Sequence, residues 1–149
     1  MDRSINDYTA LTRMLEAPVE GVAGAFHNRG NCYIRRQQPV THEKLSDWDL
    51  AISDFTSASD LSRASTETRL NALNNRFLAH FERGEGEDLT RAIQDSSIAT
   101  DMTQDSPASR AKFLRCRVAA YGKRNLPGDP ERASQDLSAA YAIKGGDSS

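Results

Sequence analysis

Asp88-Leu89-Thr90-Arg91-Ala92-Ile93-Gln94-Asp95-Ser96-Ser97-Ile98-Ala99 places an aspartate four residues before one alanine and a second alanine seven residues after the first. The same layout stands 41 residues upstream at Asp47, Ala51 and Ala58, and 41 residues downstream at Asp129, Ala133 and Ala140. Ala10 and Ala17 extend the ladder once more, with Asn6 in place of the aspartate. Eight alanines in one register, out of 19 in 149 residues, point to an internal repeat. A period of about 20 to 50 residues is the mark of a solenoid, in which each unit buries its apolar face by stacking on the next.

Aspartate and asparagine accept hydrogen bonds from the free backbone donors of a first helical turn, so Asn6, Asp47, Asp88 and Asp129 are expected to open helices. Asp129-Pro130-Glu131 adds a proline at the first helical position and an early acid, both favourable there. Apolar residues then recur at helical spacing, as Leu11, Met14 and Leu15 and as Leu50, Ile52, Phe55 and Leu61. These B helices are expected at about Ser4 to Ala17, Asp47 to Leu61, Asp88 to Met102 and Pro130 to Ile143. Three A helices alternate with them, at about Val22 to Gln37, Thr66 to Arg83 and Pro107 to Lys123. All five prolines fall at the boundaries, and no stretch reads as a strand. The expected fold class is all-α, an α-solenoid of antiparallel helix hairpins with about seven helices.

One domain is expected over 1–144, with a leading half-unit at 4–17, units at about 22–61, 66–102 and 107–143, and a flexible tail at 145–149. Hydrophobic residues at 38% and charged residues at 27% suit an ordinary globular chain. No apolar run approaches the roughly 18 residues that span a bilayer, and the first residues are polar where a signal peptide needs an apolar core. A cytoplasmic protein without membrane contact is therefore expected. Cys32 and Cys116 lie in apolar helical patterns and read as small core hydrophobes. No further helix covers the last B helix, so homo-oligomerisation through it is an expectation.

Phe26-His27-Asn28-Arg29-Gly30-Asn31-Cys32-Tyr33, followed by Ala51, Phe55 and Ala58, resembles the tetratricopeptide repeat family. Gly30 and Tyr33 match its small and aromatic positions, and Ala51, Phe55 and Ala58 match its second-helix pattern. The second unit keeps Phe77, Ala92 and Ala99 but has Asn74 and Ser96 at two characteristic positions; the third keeps Ala133, Leu137 and Ala140. The stretch Gln37 to Ser46 is about nine residues longer than the family's short turn. The resemblance implies a right-handed superhelix whose concave face, lined mainly by A helices, holds an extended or helical peptide.

Charge is segregated along the chain. Val22 to Gln38 holds Arg29, Arg35 and Arg36, and Pro107 to Arg124 holds Arg110, Lys112, Arg115, Arg117, Lys123 and Arg124, with no acid in the second and only bases from Val22 onward in the first. The B helices are acidic, with Asp47, Asp49, Asp54 and Asp60 in one alone. Two readings stay open: the A helices form a basic trough for an acidic partner, or the bases pair with B-helix acids inside each hairpin. In chaperone adaptors of the resembled family, lysines and asparagines clamp a peptide's terminal carboxylate. Here Asn31 matches, while His27, Ala72, Ser109 and Phe113 depart from that clamp. The expected partner-binding residues are Asn31, Arg35, Asn71, Asn75, Arg76 and Lys112, with asparagine amides serving an extended backbone.

His27, His42 and His80 are too dispersed for a local ligand pair, and no zinc spacing, phosphate loop or nucleophile elbow occurs. No metal, no cofactor and no enzymatic activity are expected, and nucleic acid is disfavoured by the acidic balance and scarce aromatics. The expected function is a non-enzymatic protein-interaction module for an acidic or extended peptide. The alternatives are a small secretion-type chaperone for an unfolded client, or a helical enzyme or regulatory domain of a larger protein.

Overall fold

The computed structural model describes residues 2–14, 16–36 and 46–146. Among them are seven helices and no strand: α1 (Asp2–Thr12), α2 (Val19–Arg36), α3 (Asp47–Asp60), α4 (Thr66–Arg83), α5 (Asp88–Met102), α6 (Pro107–Arg124) and α7 (Asp129–Gly146). B helices are thus α1, α3, α5 and α7, and A helices α2, α4 and α6. No helix is long and apolar enough to cross a membrane among the described residues. The chain divides into two compact units, Met1–Ala79 and His80–Ser149. In the first, α2 packs on α1 and α3; in the second, α6 packs on α5 and α7.

Several local expectations change. Helix α1 starts earlier and ends at Thr12, so Asn6 is an interior, exposed residue and not a cap, and Ala17 lies beyond the helix. Leu15 and the stretch 37–45, which includes most of the long first connection, lie outside the described residues, as do 147–149. The cap of α3 is Ser46, whose hydroxyl accepts from the Asp49 N–H at 3.1 Å, with Asp47 as the first helical residue. Gly145 and Gly146 continue α7 instead of beginning the tail, since glycine weakens a helix by only about 1 kcal/mol and does not block it. Leu61 caps the C-terminus of α3 and is half-exposed.

The alanine ladder also needs revision. Ala51, Ala58, Ala92, Ala99 and Ala140 are buried, but Ala10 is exposed. The connection from α2 to α3 has ten residues, against four from α4 to α5 and four from α6 to α7. Those six extra residues shift the structural match between α1 and α3 from 41 to 47, which aligns Thr9 with Thr56 and leaves Ala10 opposite exposed or half-exposed Ser57. The coincidence of Ala10 with the 41-residue register is accidental.

In the first unit, Ala51, Phe55 and Ala79 form a core lined by Tyr33, Ile34, Trp48 and Ile52. Gly30 is required there: a Cβ on it would sit 2.6 Å from Phe55 Cε1. In the second unit Ala111, Leu114 and Ala140 pack together with Ile143 against them. Gly84 and Gly86, at φ +63° and +52°, turn the chain from α4 into α5.

A helices meet B helices through an arginine fork used five times. Arg29 donates through Nε and Nη2 to the two oxygens of Asp54 at 2.8 and 2.6 Å. Arg117 does the same to Asp136 at 2.6 and 2.6 Å. One row along, Arg36 grips Asp47, Arg83 grips Asp88 and Arg124 grips Asp129, with shortest contacts of 2.6, 2.6 and 2.7 Å. The free Nη1 then reaches the preceding B helix: from Arg29 to Thr9 and Thr12, from Arg36 to Asp2, from Arg117 to Ser97 and from Arg124 to Thr90. Arg76 Nη1 reaches Thr56 in the same way at 3.0 Å. These aspartates open or line helices but do not cap them: Asp88 and Asp129 accept from the Glu85 and Leu126 N–H groups behind them.

Hydrogen bonds from Arg124 and the Leu126 N–H hold the Asp129 carboxyl at about 2. Burial works to raise Asp88, but Arg83, His80 and the Glu85 N–H outweigh it and hold that carboxyl at about 2 as well. Both lie below the ordinary 3.8 of the unfolded chain, so their contribution to stability is complete above that value and is lost as pH falls toward 2. Asp129→Asn should lower the urea midpoint at neutral pH and shrink its fall between about pH 4 and pH 2; an unchanged acid slope would remove Asp129 from the linkage. In the same urea assay Gly30→Ala should lose about 1–3 kcal/mol by overpacking on Phe55. Gly24→Ala, with nothing within 4 Å of its new Cβ, should gain up to about 1 kcal/mol.

Candidate functional site

In the first unit α2 and α4 bring three polar side chains together. His27 and Asn31 stand one turn apart on α2, and Asn75 comes from α4. Asn75 Nδ2 donates to Asn31 Oδ1 at 3.0 Å and lies 3.4 Å from His27 Nε2. The His27 ring packs edge-on against Phe55, with centroids 6.0 Å apart. Burial lowers its pKa, so the imidazole is neutral at pH 7 and its Nε2 can accept from the Asn75 amide. Asn31 Nδ2 and Asn75 Oδ1 are left without a partner among the described residues. The pair keeps one unspent donor and one unspent acceptor, the chemical complement of a single peptide group.

Exposed Arg35 follows Asn31 by one turn on α2, and exposed Asn71 precedes Asn75 by one turn on α4. The first unit therefore collects Asn31, Asn75, Asn71 and Arg35 on two helices. Arg76 belongs to the arginine row instead, half-buried with its Nη1 on Thr56. Lys112 lies in the second unit, exposed on α6 with its ammonium 5.2 Å from the Phe113 ring centroid. Arg115 is exposed on the same helix, whereas Lys123 Nζ is taken by the Phe81 carbonyl.

The forks decide where most of the segregated charge goes. Arg29, Arg36, Arg83, Arg117 and Arg124 each face an aspartate within 2.7 Å and are less than a quarter exposed. They are taken up by the fold, which leaves Arg35, Lys112 and Arg115 as the outward bases of α2 and α6. Arg110 is a special case. Its counterpart Arg69 donates from Nε to the Ser59 carbonyl at 3.0 Å, but the matching Thr100 carbonyl already accepts from Thr103 Oγ1 and the Thr103 N–H. Arg110 Nε is consequently buried without a partner.

Both thiols are free and half-buried, and burial raises Cys116 above the ordinary cysteine range, which suits packing more than nucleophilic chemistry. His80 is buried with Nδ1 2.8 Å from Asp88 Oδ1, and burial lowers its pKa too. No group of three metal-ligating side chains occurs among the described residues, and His42 lies outside them. The sequence reading missed the contact of His27 with Asn75; it held the pairing of A-helix bases with B-helix acids such as Asp54 as one of two open readings, and did not single out Asp136. A signal for the latter existed: Asp54, Asp95 and Asp136 repeat at 41 residues, and arginines recur seven apart on each A helix.

No family model matches this chain, and no curated protein or solved structure matches it.

His27 and His80 bind protons less readily folded than unfolded, so the stability tied to them is present above about pH 6.5 and lost as pH falls through their lowered values. Two-dimensional NMR of the imidazole protons should give both midpoints below 6.5. A His27 midpoint at or above that value would mean that its Nε2 does not accept from Asn75.

Proposed function

We propose that this chain is a non-enzymatic protein-interaction module that binds an extended peptide segment along α2 and α4 of its first unit. The observation that carries the reading is the Asn31–Asn75 pair, which keeps one amide donor and one amide acceptor for a peptide group. Hydrogen bonds of this kind give affinity with little demand on side-chain sequence. Asn71 lengthens the row, and Arg35 adds a positive group beside it, so a peptide with acidic side chains is favoured over a basic one. Exposed Lys112 and Arg115 on α6 supply the same preference in the second unit. The reading takes the helix pairs as antiparallel and right-handedly stacked, in the manner of the tetratricopeptide-like array that the sequence resembles.

Fluorescence titration of the full chain with a library of extended ten-residue peptides, acidic, neutral and basic, tests this. Asn31→Ala with Asn75→Ala should weaken the best peptide by about 1–3 kcal/mol while leaving the circular dichroism spectrum unchanged. Arg35→Glu should reduce the preference for acidic peptides and its dependence on salt. Equal binding by all variants would remove the face from the function.

A further inference from the structure

Every B helix with an A helix after it in its own unit presents that neighbour with one face of fixed register. In α1 the acceptors are Asp2 and Thr9, which take Nη1 of Arg36 and Arg29. In α5 they are Thr90 and Ser97, which take Nη1 of Arg124 and Arg117. Both pairs are seven residues apart, and between and beyond them lie Ser96 and Thr100, 1% and 5% exposed in α5. Helix α7 repeats this pattern, with Glu131 and Ser138 at the positions of Thr90 and Ser97 and with Leu137 and Tyr141 at those of Ser96 and Thr100. There Leu137 is 39% and Tyr141 63% exposed, and Glu131 and Ser138 are exposed with them.

We propose that this face of α7 docks an amphipathic helix of a partner protein that carries two arginines seven residues apart. Three observations specify the occupant. The register is continuous with the interface that α5 makes with α6, where the occupant is such a helix. Glu131 adds a negative charge where the second arginine would lie, the position that Asp2 fills toward Arg36. Leu137 and Tyr141 enlarge the apolar strip where α5 has only serine and threonine, so more apolar area is available to a helix that arrives from another chain than to one held covalently. Two arginines bring a register as well as an attraction, because both must meet acceptors seven residues apart on α7. This surface is separate from the Asn31–Asn75 pair and does not rest on the peptide-binding reading.

The probe is a fluorescein-labelled synthetic peptide with the sequence of Pro107–Arg124, added to the full chain and followed by anisotropy. Saturable binding is expected, weakened at least tenfold by Leu137→Glu with Tyr141→Glu in the protein, and equally by Arg117→Ala with Arg124→Ala in the peptide. Glu131→Lys, a surface change that cannot create a cavity, should weaken it several-fold and more so at low salt. Urea midpoints of the protein variants show that folding is retained. Absence of binding, or binding indifferent to the α7 substitutions, overturns the proposal. So does a concentration-dependent dimer in sedimentation equilibrium that Leu137→Glu abolishes, because the occupant would then be a second copy of this chain.

Discussion

The arginine–aspartate fork is the constraint on which the rest depends. A guanidinium offers five donors in a plane, and each of the five forks spends Nε and Nη2 on one carboxylate. Nη1 is left to reach back to the helix before, in Arg29, Arg36, Arg117 and Arg124. A single side chain therefore joins three helices. Lysine could supply the charge but not the planar geometry. Ionic pairs of this kind cost desolvation nearly as much as they return, so their effect is more on which residue meets which than on net stability. The apolar alanines and Phe55 supply the burial, and the forks select the register in which it occurs.

That division of labour shapes the candidate surface of α2 and α4. With the repeated arginines neutralised in place, the outward face of α2 and α4 is defined by amides and one exposed arginine more than by a field of positive charge. In the reading proposed above, affinity comes from hydrogen bonds to a peptide backbone, and charge adjusts preference. The partly buried His27 is neutral at pH 7, so its ring can orient the Asn75 amide without adding a charge.

Much of the helix layout was legible because local and global signals agree. The bounds of α4 and α5 are those read from Thr66 to Arg83 and from Asp88 to Met102, where turn glycines and helical apolar spacing coincide. Helix α1 was read less well, because six extra residues downstream displaced its true register and Ala10 fell on the 41-residue ladder by chance. The site was only half legible. Asn31 and Asn75 were both recognisable as useful amides, but their contact joins residues 44 apart and depends on how α4 rests against α2. Arg76 looked like a surface charge because the sequence does not say that Thr56 receives it.

The uneven connections between paired helices carry a consequence for how this chain tolerates change. The ten residues between α2 and α3 replace the four found in the other two pairs, yet Arg36 grips Asp47 as Arg83 and Arg124 grip their own aspartates. Lengthening a connection from four to ten residues costs only about 0.8 kcal/mol in closure entropy. Chain length at that end of a pair is thus uncoupled from the fit between its helices. A fork of fixed geometry is compatible with more than one spacing along the sequence, which is why the repeat period changes between units without changing which kinds of residue meet.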